Sequence, residues 1–115
     1  MRHGNANRKF GRERKTRSAL LRSLALSLVV NGKIKTTGAK ASEIRSFVEK
    51  LVTRGKTETV TTRRLLTGKL GKPGAEKILK DLSPKYKDRK GGYTRITKLP
   101  ARKSDGSAMS VIEFV

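Results

Sequence analysis

Cysteine and tryptophan are absent from this chain, and histidine occurs once, at position 3. Without cysteine there is no disulfide framework, no thiolate metal site and no thiol nucleophile. The one imidazole, His3, stands in the segment least able to hold a fixed geometry, so no Ser-His-Asp or Cys-His arrangement can be rigidly built. Acids are scarce too: 9 Asp and Glu in all, dispersed, with no Asp-x-Asp or His-Glu-x-x-His cluster. The expectation is a chain with no catalytic residues, no metal site and no cofactor. Gly68-Lys69 and Gly71-Lys72 do not make a nucleotide-binding loop. Neither has a glycine five residues earlier, and Leu70 and Pro73 stand where Ser or Thr is required.

Aromatic residues are few: Phe10, Phe47, Tyr86, Tyr93 and Phe114. Platforms that stack single-stranded bases normally gather more of them on one face. No apolar run is long enough to span a bilayer. Ala19 to Val30 imitates a secretory leader behind a basic start, but Arg22 interrupts it and the basic lead-in is unusually long. The expectation is therefore no cleaved leader and no membrane partner.

Against these absences stand 29 Lys and Arg, giving a formal net charge of +20 over 115 residues and a pI near 11.2. That is the footprint of a nucleic-acid binder. The excess is densest at the start, where Arg2, Arg8, Lys9, Arg12, Arg14, Lys15, Arg17 and Arg22 face the single acid Glu13. Apart from Met1 and the small Ala6, nothing apolar stands before Phe10, so residues 1–12 read as a basic arm that needs a polyanion to lie against. Guanidinium groups can take a phosphate with two hydrogen bonds each. With aromatics scarce, phosphate and shape recognition is favoured over base reading.

Residues 13–115 read as one α/β (α+β) domain with a thin core. A first helix is expected from about Glu13 to Val30, on the stripe Leu20, Leu21, Leu24, Ala25 and Leu28, stopped by Asn31-Gly32. Lys33–Thr37 reads as a short strand, and Thr37 as the N-cap of a second helix, Ala39 to about Arg54. A short helix is expected within Thr57–Thr67. After glycine punctuation another begins near Pro73, carrying Ala75, Ile78, Leu79 and Leu82. Tyr93–Leu99 and Met109–Val115 alternate as strands and are expected to form a hairpin. Lys33, Lys35, Arg63, Arg64, Lys85, Lys87, Arg89 and Lys90 join the opening helix as candidate RNA-binding residues. Arg95 in a strand must face solvent or a partner, whereas Tyr93 has ordinary sheet packing as an equal alternative.

Several stretches together are similar to the bacterial large-subunit ribosomal protein family numbered seventeen. They are Met1-Arg2-His3-Gly4, Lys35-Thr36-Thr37, Arg63-Arg64-Leu65, Pro84-Lys85-Tyr86, Gly91-Gly92-Tyr93-Thr94-Arg95-Ile96 and Ile112-Glu113-Phe114-Val115. The match runs end to end in order. It departs at Lys40-Ala41-Ser42-Glu43-Ile44-Arg45, where the family usually reads Lys-Ala-Lys-Glu-Leu-Arg, and in the glycine-rich Thr67–Gly74. The resemblance implies a compact two-layer domain, three to four helices on a small mixed sheet, with a basic N-terminal arm. It implies a non-enzymatic constituent of a cytoplasmic ribosome, an organellar one being left open. Its partners would be large-subunit (23S) ribosomal RNA and neighbouring ribosomal proteins, with no small-molecule substrate. Carried over by position, Arg2, His3, Arg8, Lys9 and Arg12 would be the RNA-embedded arm, and Lys35, Arg63, Arg64, Tyr93 and Arg95 would lie at or near RNA. Three other classes stay on the table. One is a DNA-binding helix-turn-helix variant with Ala75–Leu82 as recognition helix; the others are an RNA-processing enzyme and a membrane-active basic helix.

Overall fold

Leucines at helical spacing build the first element, α1 (Arg14–Asn31), in the computed structural model, which describes residues 13–57 and 59–115. Its Ala25, Leu28 and Val29 are fully buried. Gly32 ends it at φ 80°, a left-handed geometry glycine adopts without penalty, and its N–H closes onto the Leu28 carbonyl at 2.7 Å. The chain turns directly into β1 (Lys33–Thr37). Thr37 then caps α2 (Gly38–Gly55), its hydroxyl accepting from the Lys40 N–H at 3.4 Å. Ala41, Ile44, Val48, Leu51 and Val52 form the buried stripe of α2.

The middle of the chain follows its glycine punctuation. Two helical stretches are expected there, and α3 (Val60–Lys77) consists of two, meeting at a kink where Gly71 leaves helical geometry (φ 79°, ψ 175°). Pro73, which lacks an N–H, sits just after the break, where the restarting helix has no donor to satisfy. A π-helical stretch, Ile78–Leu82, and a single turn, α4 (Ser83–Lys85), follow without interruption. Ser83-Pro84 therefore does not end the helical segment as expected, because Pro84 falls in the first turn of α4.

β2 (Thr94–Leu99) and β3 (Met109–Phe114) form the expected hairpin. The sheet order is β1-β3-β2, so β3 is central and pairs antiparallel with both neighbours. The sheet is thus antiparallel throughout rather than mixed. Helix α2 contacts all three strands, giving two layers, and α1 and α3 pack against each other beside it. Between the layers lie Leu28, Ile44, Val48, Leu66, Ile78, Tyr93 and Ile112, all with no exposed surface. Burying each such side chain contributes about 1.5–3 kcal/mol, which a chain of this net charge needs against its own repulsion.

Candidate nucleic-acid interface

The expected arm residues Arg2, His3, Arg8, Lys9 and Arg12 lie outside the described residues. The remaining cations are distributed by the fold as follows. On α1, Arg14, Lys15 and Arg22 are exposed and line a shallow groove of about 530 Å³ with Ser18, Ala19 and Ser23, and no acid lines it. Arg17 is half-buried and does not line that groove. The apolar stripe of α1 is turned into the core, which is why its basic residues are left on the outside.

Strand register decides the second group. Glu113 of β3 stands opposite Lys33 on one side and Arg95 on the other. Side chains directly opposite share a face, so Lys33, Glu113 and Arg95 form one row, with Lys35 two residues along. Inward positions are taken by Ile112, Ser110, Thr36 and Thr94, all buried. Lys33, Lys35 and Arg95 therefore belong to the face of the sheet turned away from the helices. The lone acid of that row is engaged: Arg95 Nη2 donates to Glu113 Oε1 at 2.8 Å and its Nε at 3.2 Å. The Arg95 hydrogen bonds, with its charge and that of Lys33, hold the Glu113 carboxyl below the usual range against the opposing effect of desolvation.

Arg63 and Arg64 are exposed on the first turns of α3, whose cap is Thr59 accepting from the Thr62 N–H at 3.1 Å. Lys85, Lys87, Arg89 and Lys90 are exposed at and beyond α4. Tyr93 is a correction. Its ring has no exposed surface, so it cannot stack on a base; it packs 5.1 Å from Tyr86. Its hydroxyl donates to the Arg89 carbonyl at 3.2 Å and lies 3.0 Å from Thr53 Oγ1. Lys56 Nζ donates to the same carbonyl and sits 4.8 Å from the ring centroid. Burial pushes the Tyr93 hydroxyl up, yet the hydrogen bonds from Lys56 and Thr53 and the Lys56 charge outweigh it and hold it below its ordinary value. Tyr93 thus positions the basic loop from beneath. Tyr86 and Phe114, 6.4 Å apart, extend the same cluster, and Phe47 packs against the core as well, so the aromatics among the described residues are spent on the core.

The sequence reading missed Lys40, Arg102 and Lys103, which line a groove of about 710 Å³ with Lys35. The Arg102-Lys103 pair after Pro100 is visible as a basic dipeptide. That it comes to rest near the start of α2 follows from β3 taking the centre of the sheet, which no local pattern announces.

Among the described residues, no three His, Cys, Asp or Glu side chains gather closely enough to hold a metal ion. No helix among them is long and apolar enough to cross a membrane. The helix-turn-helix alternative lacks a regular recognition helix, because Ala75–Leu82 passes into the π-helical stretch Ile78–Leu82 and exposes the acid Asp81.

The family model described as ribosomal protein L17 matches residues 20–115. The large ribosomal subunit protein bL17 of Nautilia profundicola is 46% identical over 120 residues, spanning 100% of this chain and 98% of the relative. Its counterpart in Gemmatimonas aurantiaca is 48% identical over 116 residues, spanning 100% and 98%. That of Persephonella marina is 48% identical over 118 residues, spanning 100% and 95%. With the family model and full-length relatives in agreement, the chain belongs to the ribosomal protein L17 family.

Proposed function

We propose that this chain is a structural, non-catalytic constituent of the large ribosomal subunit in the bacterial cytoplasm. It binds large-subunit ribosomal RNA and contacts neighbouring ribosomal proteins. The observation that carries the RNA reading is the unequal treatment of charges. Four of the acids are engaged within the fold: Glu49 accepts from Thr94, Asp81 pairs with Lys77, Asp105 with Arg102 and Glu113 with Arg95. Arg14, Lys15 and Arg22 instead share an acid-free groove open to solvent. Binding proceeds by release of counterions from the RNA as these groups, Lys33, Lys35, the loop residues Lys87, Arg89 and Lys90, and the basic arm of residues 1–12 meet its phosphates. The body, residues 13–115, holds those contacts in register.

The test is competition binding to large-subunit ribosomal RNA fragments across a salt series, with unrelated RNA of equal length and duplex DNA as competitors. Six to ten neutralised phosphates correspond to an affinity loss of about 10³–10⁵ between 50 and 200 mM salt. A fragment whose preference survives above 200 mM supports site-specific recognition. Equal, steeply salt-sensitive binding to every polyanion overturns it.

A further inference from the structure

The groove between the start of α2 and the β2–β3 loop is the most one-sided charged cavity outside α1. Lys35, Lys40, Arg102 and Lys103 line it from three different elements, and no acid does. Leu99, Pro100, Ala101 and Met109 add apolar surface to its lining. The loop that supplies two of the cations is internally braced. The Arg102 N–H donates to the Ser107 carbonyl at 2.9 Å, the Gly106 N–H returns to Arg102 at 2.8 Å, and Asp105 accepts from the Ser107 N–H at 3.1 Å. Asp105 also lies 3.5 Å from Arg102 Nε, so one acid steadies that guanidinium from outside the groove lining. The loop is tied to α2 by the Gly38 N–H donating to the Ala108 carbonyl at 3.0 Å. Its cations are therefore largely pre-positioned, which reduces the ordering needed on binding.

We propose that this groove seats a short stretch of RNA sugar–phosphate backbone, as a second contact distinct from the α1 surface. The proposal rests on the reading that the chain binds ribosomal RNA. Four cations interspersed with apolar lining suit a polymer that alternates phosphates with ribose rings and base faces. The N-terminus of α2 adds its own partial positive charge on the same side. With no aromatic lining it, recognition there is of backbone and shape, not of base identity.

The deciding experiment uses the full chain and labelled large-subunit ribosomal RNA fragments. It compares Lys40→Glu/Lys103→Glu with the charge-matched control Lys69→Glu/Lys72→Glu on α3. The groove variant is expected to bind about tenfold or more weakly than the control between about 50 and 200 mM salt, with a salt slope shallower by about two. Neutral Lys40→Gln/Lys103→Gln should fall between wild type and the Glu pair. Lys40→Glu puts an acid in the first turn of α2, a favourable position, so an unchanged melting temperature separates lost binding from lost fold. Equal losses in variant and control overturn the groove assignment while leaving the ribosomal reading intact. So does selective loss of binding to polyglutamate with RNA affinity unaffected. Wild-type protein that prefers no ribosomal fragment overturns the ribosomal RNA reading and the groove with it.

Discussion

The hydroxyl of Tyr93, buried in the core, donates to the backbone carbonyl of Arg89, in the exposed basic loop, at 3.2 Å. One hydrogen bond thus links the apolar interior to a candidate RNA-contacting segment. Tyr93→Phe keeps the ring and removes that bond together with the contact to Thr53. Stability is expected to fall by about 0.5–1.5 kcal/mol in chemical denaturation. Amide exchange of Lys87–Lys90 should accelerate while that of α1 is unchanged. Unaltered exchange in the loop would show that Lys56 alone holds it.

Helix α2 ends on a glycine because nothing larger fits there. A Cβ on Gly55 would lie 2.6 Å from Ser83 Oγ and 2.7 Å from Ile78 Cγ2. Ser83 has little freedom to yield, being buried and donating to the Val52 carbonyl at 3.2 Å. Gly55→Ala is expected to destabilise by about 1–3 kcal/mol through overpacking, more than the helix preference for alanine returns. A denaturation midpoint equal to or above wild type would refute the close-approach account.

Glu49 fastens the start of β2 to α2, its Oε2 accepting from the Thr94 N–H at 3.2 Å and the Thr94 hydroxyl at 3.0 Å. Thr94 is buried, so Glu49→Ala leaves two donors without their carboxylate. A loss of about 1–3 kcal/mol is expected, with faster amide exchange concentrated at Thr94. Uniform acceleration over the whole chain would place the effect elsewhere.

Acid should weaken the hairpin through Glu113. Its carboxyl is held below the ordinary value of 4.5 in the folded protein, first by the Arg95 hydrogen bond. A depressed folded value means that the stabilising contribution is present above the unfolded value. It is lost as pH falls through the folded one. Wild type should therefore exceed Glu113→Gln in thermal stability at neutral pH, and the gap should close progressively below about pH 4.5. A gap that does not vary with pH would mean the pair contributes nothing electrostatic. High salt should narrow it too, since Arg95 is mostly exposed.

Deletion of residues 1–12 should lower affinity for ribosomal RNA and flatten the salt slope, because four Lys and Arg side chains are removed with them. Thermal unfolding of the remainder should change little. A large drop in melting temperature would show that the segment contributes to the folded body.

Sequence alone was enough for most of the elements. A charge of +20 over 115 residues already pointed to a polyanionic partner. The leucine stripe and Asn31-Gly32 placed α1, Thr37 placed the start of α2, and alternation placed the hairpin, all within a residue or two, because periodicity and capping are local properties. Tertiary structure alone decided what depends on residues distant in sequence. It buried Tyr93 and turned it from a candidate RNA contact into a support for Arg89. It carried the last middle helix on through Ile78–Leu82 and past Ser83-Pro84 into α4, where Ile78, Leu79, Leu82 and Ser83 are buried. By setting β3 between β1 and β2, it brought Lys35 and Lys40 together with Arg102 and Lys103. Strand order is chosen by the burial of whole faces, and that is a sum over the entire chain.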